Sequence, residues 1–281
     1  MELYTGNGER ITISNAETNA VTLKAPWNTV IHRGWVSGTK ENTIPAFYLT
    51  KENGYDWAEC DVRFSSDGVP VLAHNATITS EDGATVLTVA ESTVEQLQAI
   101  TLKTSETYGE IRIATLAEML RMASLIDLNI LIDLKAGSTA QMAILAEVVL
   151  ASGWAEHVVY MPINTANATA IAAVDRNASF DFVASITAVE NLPDLTQYQA
   201  LLTGANTVGF DLSASRTDEE GGLDVAIYES IRAAGLSVSF WNIRATAYKT
   251  YMDAGPLRIT KQNTADSIDL DALYLADQSF W

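Results

Sequence analysis

The feature that most constrains this chain is a rhythm. After Pro26, short β-branched or apolar runs alternate with segments of helical periodicity. The runs are Thr29 to His32, Trp57 to Val62, Ile130 to Leu134, Val158 to Met161, Phe182 to Ile186, Thr207 to Leu212, Ser237 to Asn242 and Leu257 to Thr260, eight in all. Between them, Ile44 to Glu52, Leu116 to Ala123, Ala140 to Leu150 and Val225 to Ala234 read as helices. Glycines at 54, 153, 204, 235 and 255 stand where left-handed helix ends are wanted. Such alternation specifies a parallel sheet with crossover helices, and eight units closed on themselves make a (β/α)8 TIM barrel. The 281 residues, 48 % of them hydrophobic, supply enough apolar material for one such core.

Two segments depart from the rhythm. Residues 1–25 are short and strand-like, broken by Gly6, Gly8 and Asn15, and read as an N-terminal β appendage to a barrel domain over 26–281. An insertion at about 64–115 separates the second strand from the third. It opens on a turn at Asp67-Gly68, which folds His74 back alongside Asp61, and it carries two capping-box patterns, Ser92 with Glu95 and Thr115 with Glu118.

Catalytic groups of a closed barrel sit at the C-terminal ends of its strands. His32 ends the first, and Glu59 and Asp61, two apart and therefore on one face, end the second. Asp133 and Lys135 repeat that spacing on the third. Three converging carboxylates repel unless a cation sits among them, and an all-oxygen donor set favours Mg2+ or Ca2+ over zinc. Cys60 is the sole cysteine, which excludes an internal disulfide or a thiolate cluster; its alternation away from Glu59 and Asp61 points it toward a helix. His32 and His74 are candidates for general acid and base, since imidazole exchanges protons near neutrality. Arg33 and Lys135 are placed to hold phosphate oxygens. His157 precedes the fourth strand and reads as structural.

The net charge of -18 repels a nucleic-acid backbone, so the expected partner is a small molecule. Neither a signal peptide nor a membrane-spanning run is legible. A soluble protein, cytoplasmic or secreted and of unspecified oligomeric state, is the expectation.

His32-Arg33-Gly34, followed by Glu41-Asn42-Thr43 and Ala46-Phe47, resembles the opening of the glycerophosphodiester phosphodiesterase family, within the phospholipase C-like phosphodiesterase superfamily. Further blocks follow in order: Glu59-x-Asp61-Val62, Ser66-Asp67-Gly68-x-Pro70-Val71, His74, Ala114-Thr115-Leu116-x-Glu118 and Ile132-Asp133-Leu134-Lys135. Phe240-Trp241-Asn242, Asp253-Ala254-Gly255 and Ile259-Thr260 complete the set, which spans roughly residues 30 to 260. The resemblance implies a distorted barrel with one divalent metal, catalytic histidines at His32 and His74, and metal carboxylates at Glu59, Asp61 and Asp133. It assigns Glu41 an orienting role. This chain departs from the family pattern at Asp133, where glutamate is usual, at Asn75, where aspartate follows the histidine, and at Lys261. Venom sphingomyelinase D barrels, which are related, resemble it in using a third-strand aspartate.

Other readings stay open at this level. Lys135 also reads as a structural partner of Asp133, Arg33 as a loop cap, and Trp241 as either a stacking platform for a substrate alcohol or barrel filling. Asp218-Glu219-Glu220 reads as a solvated loop. The expected activity is metal-dependent hydrolysis of a glycerophosphodiester to sn-glycerol 3-phosphate and an alcohol. The alternatives are a polymeric or lipid glycerol-phosphate substrate, or a barrel that binds polyol phosphates without hydrolysing them.

Overall fold

The computed structural model describes residues 28–186, 188–213, 225–241 and 258–261, together with two short strands near the N-terminus, β1 (Leu3–Tyr4) and β2 (Arg10–Ile11), which pair antiparallel. The barrel begins with β3 (Asn28–Ile31), α1 (Ile44–Glu52) and β4 (Trp57–Phe64). A run of small elements follows: β5 (Pro70–Leu72), the hairpin β6 (Thr77–Thr79) and β7 (Val86–Thr88), α2 (Val94–Gln98), and the hairpin β8 (Thr101–Ser105) and β9 (Gly109–Arg112). The barrel then resumes with α3 (Leu116–Ile126), β10 (Asn129–Leu134), α4 (Thr139–Ala151), β11 (Val158–Met161), α5 (Thr165–Val174) and β12 (Ser179–Ala184). It continues through α6 (Thr196–Gln199), β13 (Val208–Ser213), α7 (Val225–Ala233), β14 (Ser237–Trp241) and β15 (Arg258–Lys261). Strands β3, β4 and β10 to β15 pair parallel in a closed ring of eight, β15 returning to β3, while β5 lies antiparallel on β4. The (β/α)8 barrel expected from the rhythm is therefore the fold.

Alternation along each strand divides the side chains into two sets. Outward residues such as Cys60, Ile132, Tyr160, Phe180, Phe210 and Phe240 are buried against helix residues including Leu116, Met119 and Leu145. Val30, Leu131, Val159 and Met161 form a separate cluster inside the barrel, with Trp57 against it. Cys60 is fully buried, as its alternation requires. Burial pushes its thiol far above the ordinary range.

Local differences from expectation have clear causes. The fifth strand runs Ser179–Ala184 and not Phe182 to Ile186, because Asp181 is buried inside the barrel, where Arg258 neutralises it, so a charge does not end the strand there. The first capping box falls one residue later, on Thr93 and Gln96; Ser92 is the buried C-cap of the preceding 3-10 turn. The second, Thr115 with Glu118, is formed as read. Gly54, Gly153 and Gly235 have φ of +84°, +70° and +76°, whereas Gly204 has no positive φ. Gly255, Asn242 and Asp218-Glu219-Glu220 lie outside the described residues, as does the Lys261 side chain. His157 stacks on Trp154 and bonds Asn129 through Nδ1 at 2.9 Å, a structural role. Among the described residues no helix is long and apolar enough to cross a membrane.

Candidate active site

Strand register builds the site. Asp61 of β4 lies opposite Asp133 of β10, and Glu59 precedes Asp61 on the same face. All three carboxylates are thus brought to one end of the barrel, with ligand atoms within 4.8 Å of one another. Glu59 and Asp61 are buried. Lys135, just past β10, places Nζ 2.9 Å from Asp61 Oδ1 and also in contact with Asp133 Oδ2.

The loop after β3 wraps this cluster. His32 stands with Nε2 3.9 Å from Glu59 Oε2, and the Arg33 backbone N–H donates to that same oxygen at 2.9 Å. The Arg33 guanidinium lies 3.0 Å from Asp61 Oδ2 and 3.2 Å from Glu41 Oε2. Glu41 thus holds Arg33 from the outside and does not line the cavity. Arg33 and Asn42 both adopt φ +57°, a left-handed conformation uncommon for residues other than glycine. Between them Gly34 (φ +76°) passes so close to α1 that a Cβ would sit 2.9 Å from the Ala46 carbonyl carbon. Only glycine fits there.

Asn42 is the residue that sequence reasoning overlooked in this loop. Its Nδ2–H donates to Asp61 Oδ2 at 2.7 Å, and its Oδ1 accepts the Asp61 backbone N–H at 2.9 Å. The pair holds Asp61 by its carboxylate and by its backbone. The signal was available in Glu41-Asn42-Thr43, where asparagine tolerates the left-handed backbone and carries both a donor and an acceptor.

The hairpin delivers the second imidazole. Gly68 (φ +79°) turns the chain, Val62 pairs with Leu72, and the Ala73 N–H donates to the Asp61 carbonyl at 2.9 Å. His74 follows directly. Its carbonyl accepts Arg63 Nε–H at 2.9 Å, and its Nδ1 bonds Asn75 Oδ1 at 3.0 Å. With Nδ1–H donating to the amide oxygen, Nε2 carries the lone pair.

A cavity of about 320 Å³ opens on these groups. His32, Arg33, Glu59, His74, Asp133 and Lys135 form one wall. Met161, Val183, Asp211 and Trp241, from β11 to β14, form the rest. Eight of the nine candidate residues therefore line this cavity or, for Asp61, join the carboxylate group at its floor. Asp211 was not anticipated: in Val-Gly-Phe-Asp-Leu it reads as a charge in an apolar run, and only strand parity places it inward. A larger open cavity of about 660 Å³, among the hairpins of residues 80–110, holds none of the candidate residues.

The electrostatics fit a bound cation. Burial, then repulsion from Asp61 and Asp133, pushes the Glu59 carboxyl well above the ordinary range. Burial also raises Asp133, against the pull of Lys135. For Lys135 itself, burial favours the neutral amine, but Asp133 and Asp61 outweigh it and hold the ammonium above its usual value. Glu59 Oε1 is buried with no hydrogen-bond partner among the described residues. A divalent cation would supply what that oxygen lacks and relieve the repulsion, and the three carboxylates are placed to hold one.

Glycerophosphodiester phosphodiesterase 1 of Rattus norvegicus is 33 % identical over 111 residues, 38 % of this chain and 33 % of that protein. A glycerophosphodiester phosphodiesterase of Caldanaerobacter subterraneus subsp. tengcongensis is 32 % identical over 113 residues, covering 38 % and 45 %. The matched stretch thus spans about a third of the length of the mammalian relative. A crystal structure of a glycerophosphodiester phosphodiesterase from Parabacteroides distasonis superposes with TM-score 0.68 at 16 % identity, covering 91 % of this chain and 99 % of that one. An Oleispira antarctica phosphodiesterase, solved in complex with the product sn-glycerol-3-phosphate, gives TM-score 0.68 at 19 % identity, covering 89 % and 96 %. At such identities the likeness speaks for the fold. The profile of the glycerophosphoryl diester phosphodiesterase family matches residues 32–257, from the first histidine of the cavity to the edge of the last strand, and the chain belongs to that family.

Proposed function

We propose that this chain hydrolyses a glycerophosphodiester to sn-glycerol 3-phosphate and an alcohol. The observation that carries the reading is the convergence of two imidazoles, an ammonium and a carboxylate cluster on one cavity. The names of the relatives and the product complex of the Oleispira antarctica protein support the same substrate class.

Glu59, Asp61 and Asp133 would hold one divalent cation, Mg2+ or Ca2+. When bound, it supplies Lewis-acid polarisation of a phosphoryl oxygen and screening of the charge developed during attack. Lys135 and Arg33 orient the remaining phosphate oxygens, Arg33 being steadied by Glu41. One of His32 and His74 takes the proton from the attacking hydroxyl and the other protonates the departing alcohol; attack by water gives sn-glycerol 3-phosphate directly, whereas attack by the substrate's own glycerol hydroxyl gives a cyclic phosphodiester that water then opens, the two histidines exchanging roles. Trp241 lends an aromatic face to the organic part of the substrate.

The test is turnover of glycerophosphocholine, a lysophospholipid and a polyglycerol phosphate with Mg2+ or Ca2+, with and without chelator. Chelation is expected to abolish turnover reversibly. His32→Ala and His74→Ala should each lose about 10²- to 10⁴-fold in kcat while remaining folded. Full activity in either folded variant would sink the assignment, and no turnover of any diester would sink the function.

A further inference from the structure

The wall of the cavity away from the carboxylate cluster carries two polar atoms that the hydrolytic scheme leaves unused. Asp211 Oδ1 and Trp241 Nε1 are both buried and both lack a hydrogen-bond partner among the described residues. Asp211 is 1 % exposed, yet it lines the cavity. Register places the two together: Asp211 pairs with Ser239 and Ser213 with Trp241, so both side chains share the inward face of adjacent strands, Trp241 one step nearer the mouth.

The obvious internal partners for Asp211 are already engaged. Arg258 directs Nε and Nη2 to Asp181 Oδ2, at 3.1 and 3.0 Å, and Ser239 Oγ donates to the same oxygen at 2.9 Å. Arg258 is further held by its position over the Trp57 ring. Gly209, the inward residue below Asp211, leaves no room for a side chain, since a Cβ would meet Ser237 backbone and Oγ. Asp211 is thus presented to the cavity with nothing among the described residues to satisfy Oδ1. A buried polar atom left unpaired in a cavity is costly unless a ligand completes it.

The chemistry of the two atoms defines that ligand. An indole N–H only donates, and a carboxyl oxygen accepts. Burial, then the neighbouring Asp181, pushes Asp211 well above the ordinary carboxylate range against the pull of Arg258, so the group is disposed to remain neutral and can also donate. A hydroxyl matches both partners, being donor and acceptor at once. A phosphate does not match a carboxyl, and the described residues of this wall carry no cation to hold one.

We propose that Asp211 and Trp241 form the subsite for the hydroxyl-bearing glyceryl end of the substrate, with Asp211 determining specificity for a polyol phosphate over a simple alkyl phosphate. This rests on the hydrolytic reading above for the placement of the phosphate, but its test does not require turnover. Calorimetric titration in Mg2+ or Ca2+ with sn-glycerol 3-phosphate and with ethyl phosphate, which lacks the two hydroxyls, reads the subsite directly. The wild type should bind the first at least about tenfold more tightly. Asp211→Ala and Trp241→Phe should each bring that ratio close to one while leaving the affinity for ethyl phosphate within about threefold. Asp211→Asn keeps an acceptor and a donor and should retain most of the preference.

Absence of preference in the wild type overturns the subsite, and so does equal weakening of both probes in folded Asp211→Ala or Trp241→Phe. If Asp211→Ala does not fold, Trp241→Phe and Asp211→Asn carry the comparison. Preference without any diester turnover would remove the hydrolytic reading and leave the subsite standing.

Discussion

Replacing Asp211 with Asn should stabilise the protein at neutral pH and not in acid. The side chain is buried with one oxygen unpaired, and its carboxyl titrates far above the ordinary value. In the unfolded chain it ionises near the usual aspartate value, about 3.9. Between that pH and the folded value the native state keeps a proton that the unfolded state has released. Folding is therefore penalised progressively as pH rises, by about 1.4 kcal/mol per pH unit, until the folded pKa is passed. Asn cannot ionise, and its amide preserves the shape. Urea unfolding of wild type and Asp211→Asn, followed at half-unit steps from pH 4 to pH 7 in chelator, gives the difference directly. The two should be close in stability near pH 4, and the variant should gain steadily above it. A difference that stays constant with pH, or that moves in favour of the wild type as pH rises, would refute the reasoning.

Other outcomes follow from the loop that wraps the carboxylates. Asn42→Ala removes both bonds to Asp61, strands a buried backbone N–H and leaves alanine at φ +57°, so it should cost about 3 kcal/mol and weaken cation binding; an unchanged urea midpoint and metal affinity would contradict this. Gly34→Ala puts a Cβ 2.9 Å from the Ala46 carbonyl carbon at φ +76°, and about 2–3 kcal/mol of destabilisation is expected by thermal or urea unfolding, with activity falling because Arg33 shifts; a neutral outcome would mean the loop is not held against α1. Asn75→Asp places a carboxylate on His74 Nδ1 in place of an amide, and one limb of the pH–rate profile should move to higher pH, whereas an unmoved profile would show that His74 is not a titrating participant.

The barrel was legible because its strands obey a two-fold division: an outward row that is almost purely apolar and an inward row that carries the chemistry. Trp57-Ala-Glu-Cys-Asp-Val shows both rows in six residues, and strand ends alone selected His32, Glu59, Asp61, Asp133 and Lys135. The turn at Asp67-Gly68 was enough to bring His74 back. What escaped was polar structure whose partners lie far apart in sequence. Asp181 meets Ser239 across 58 residues and Arg258 across 77, so no local pattern distinguishes it from a strand terminator. The same blindness shifted the fifth strand and hid Asp211. Asn42 was passed over for a different reason: its role is a reciprocal bond to a side chain and a backbone on another element, which spacing does not encode.

The cavity draws its imidazoles, its cations and the carboxylate cluster from β4, β10 and the loops between β3 and β10 and just past β10, and its second wall, with the separate carboxyl of Asp211, from β11 to β14. In the proposed hydrolysis the proton-transfer groups and the contacts to the organic part of the substrate would therefore lie in separate stretches of the chain, roughly before and after residue 135. On that reading, mutational drift in the later stretch would exchange one polyol for another while the proton-transfer groups stay in place. A library confined to Met161, Val183, Asp211 and Trp241 would thus sample new substrates without forfeiting catalysis, and a graft of these four positions would carry a preference from one barrel of this family to another.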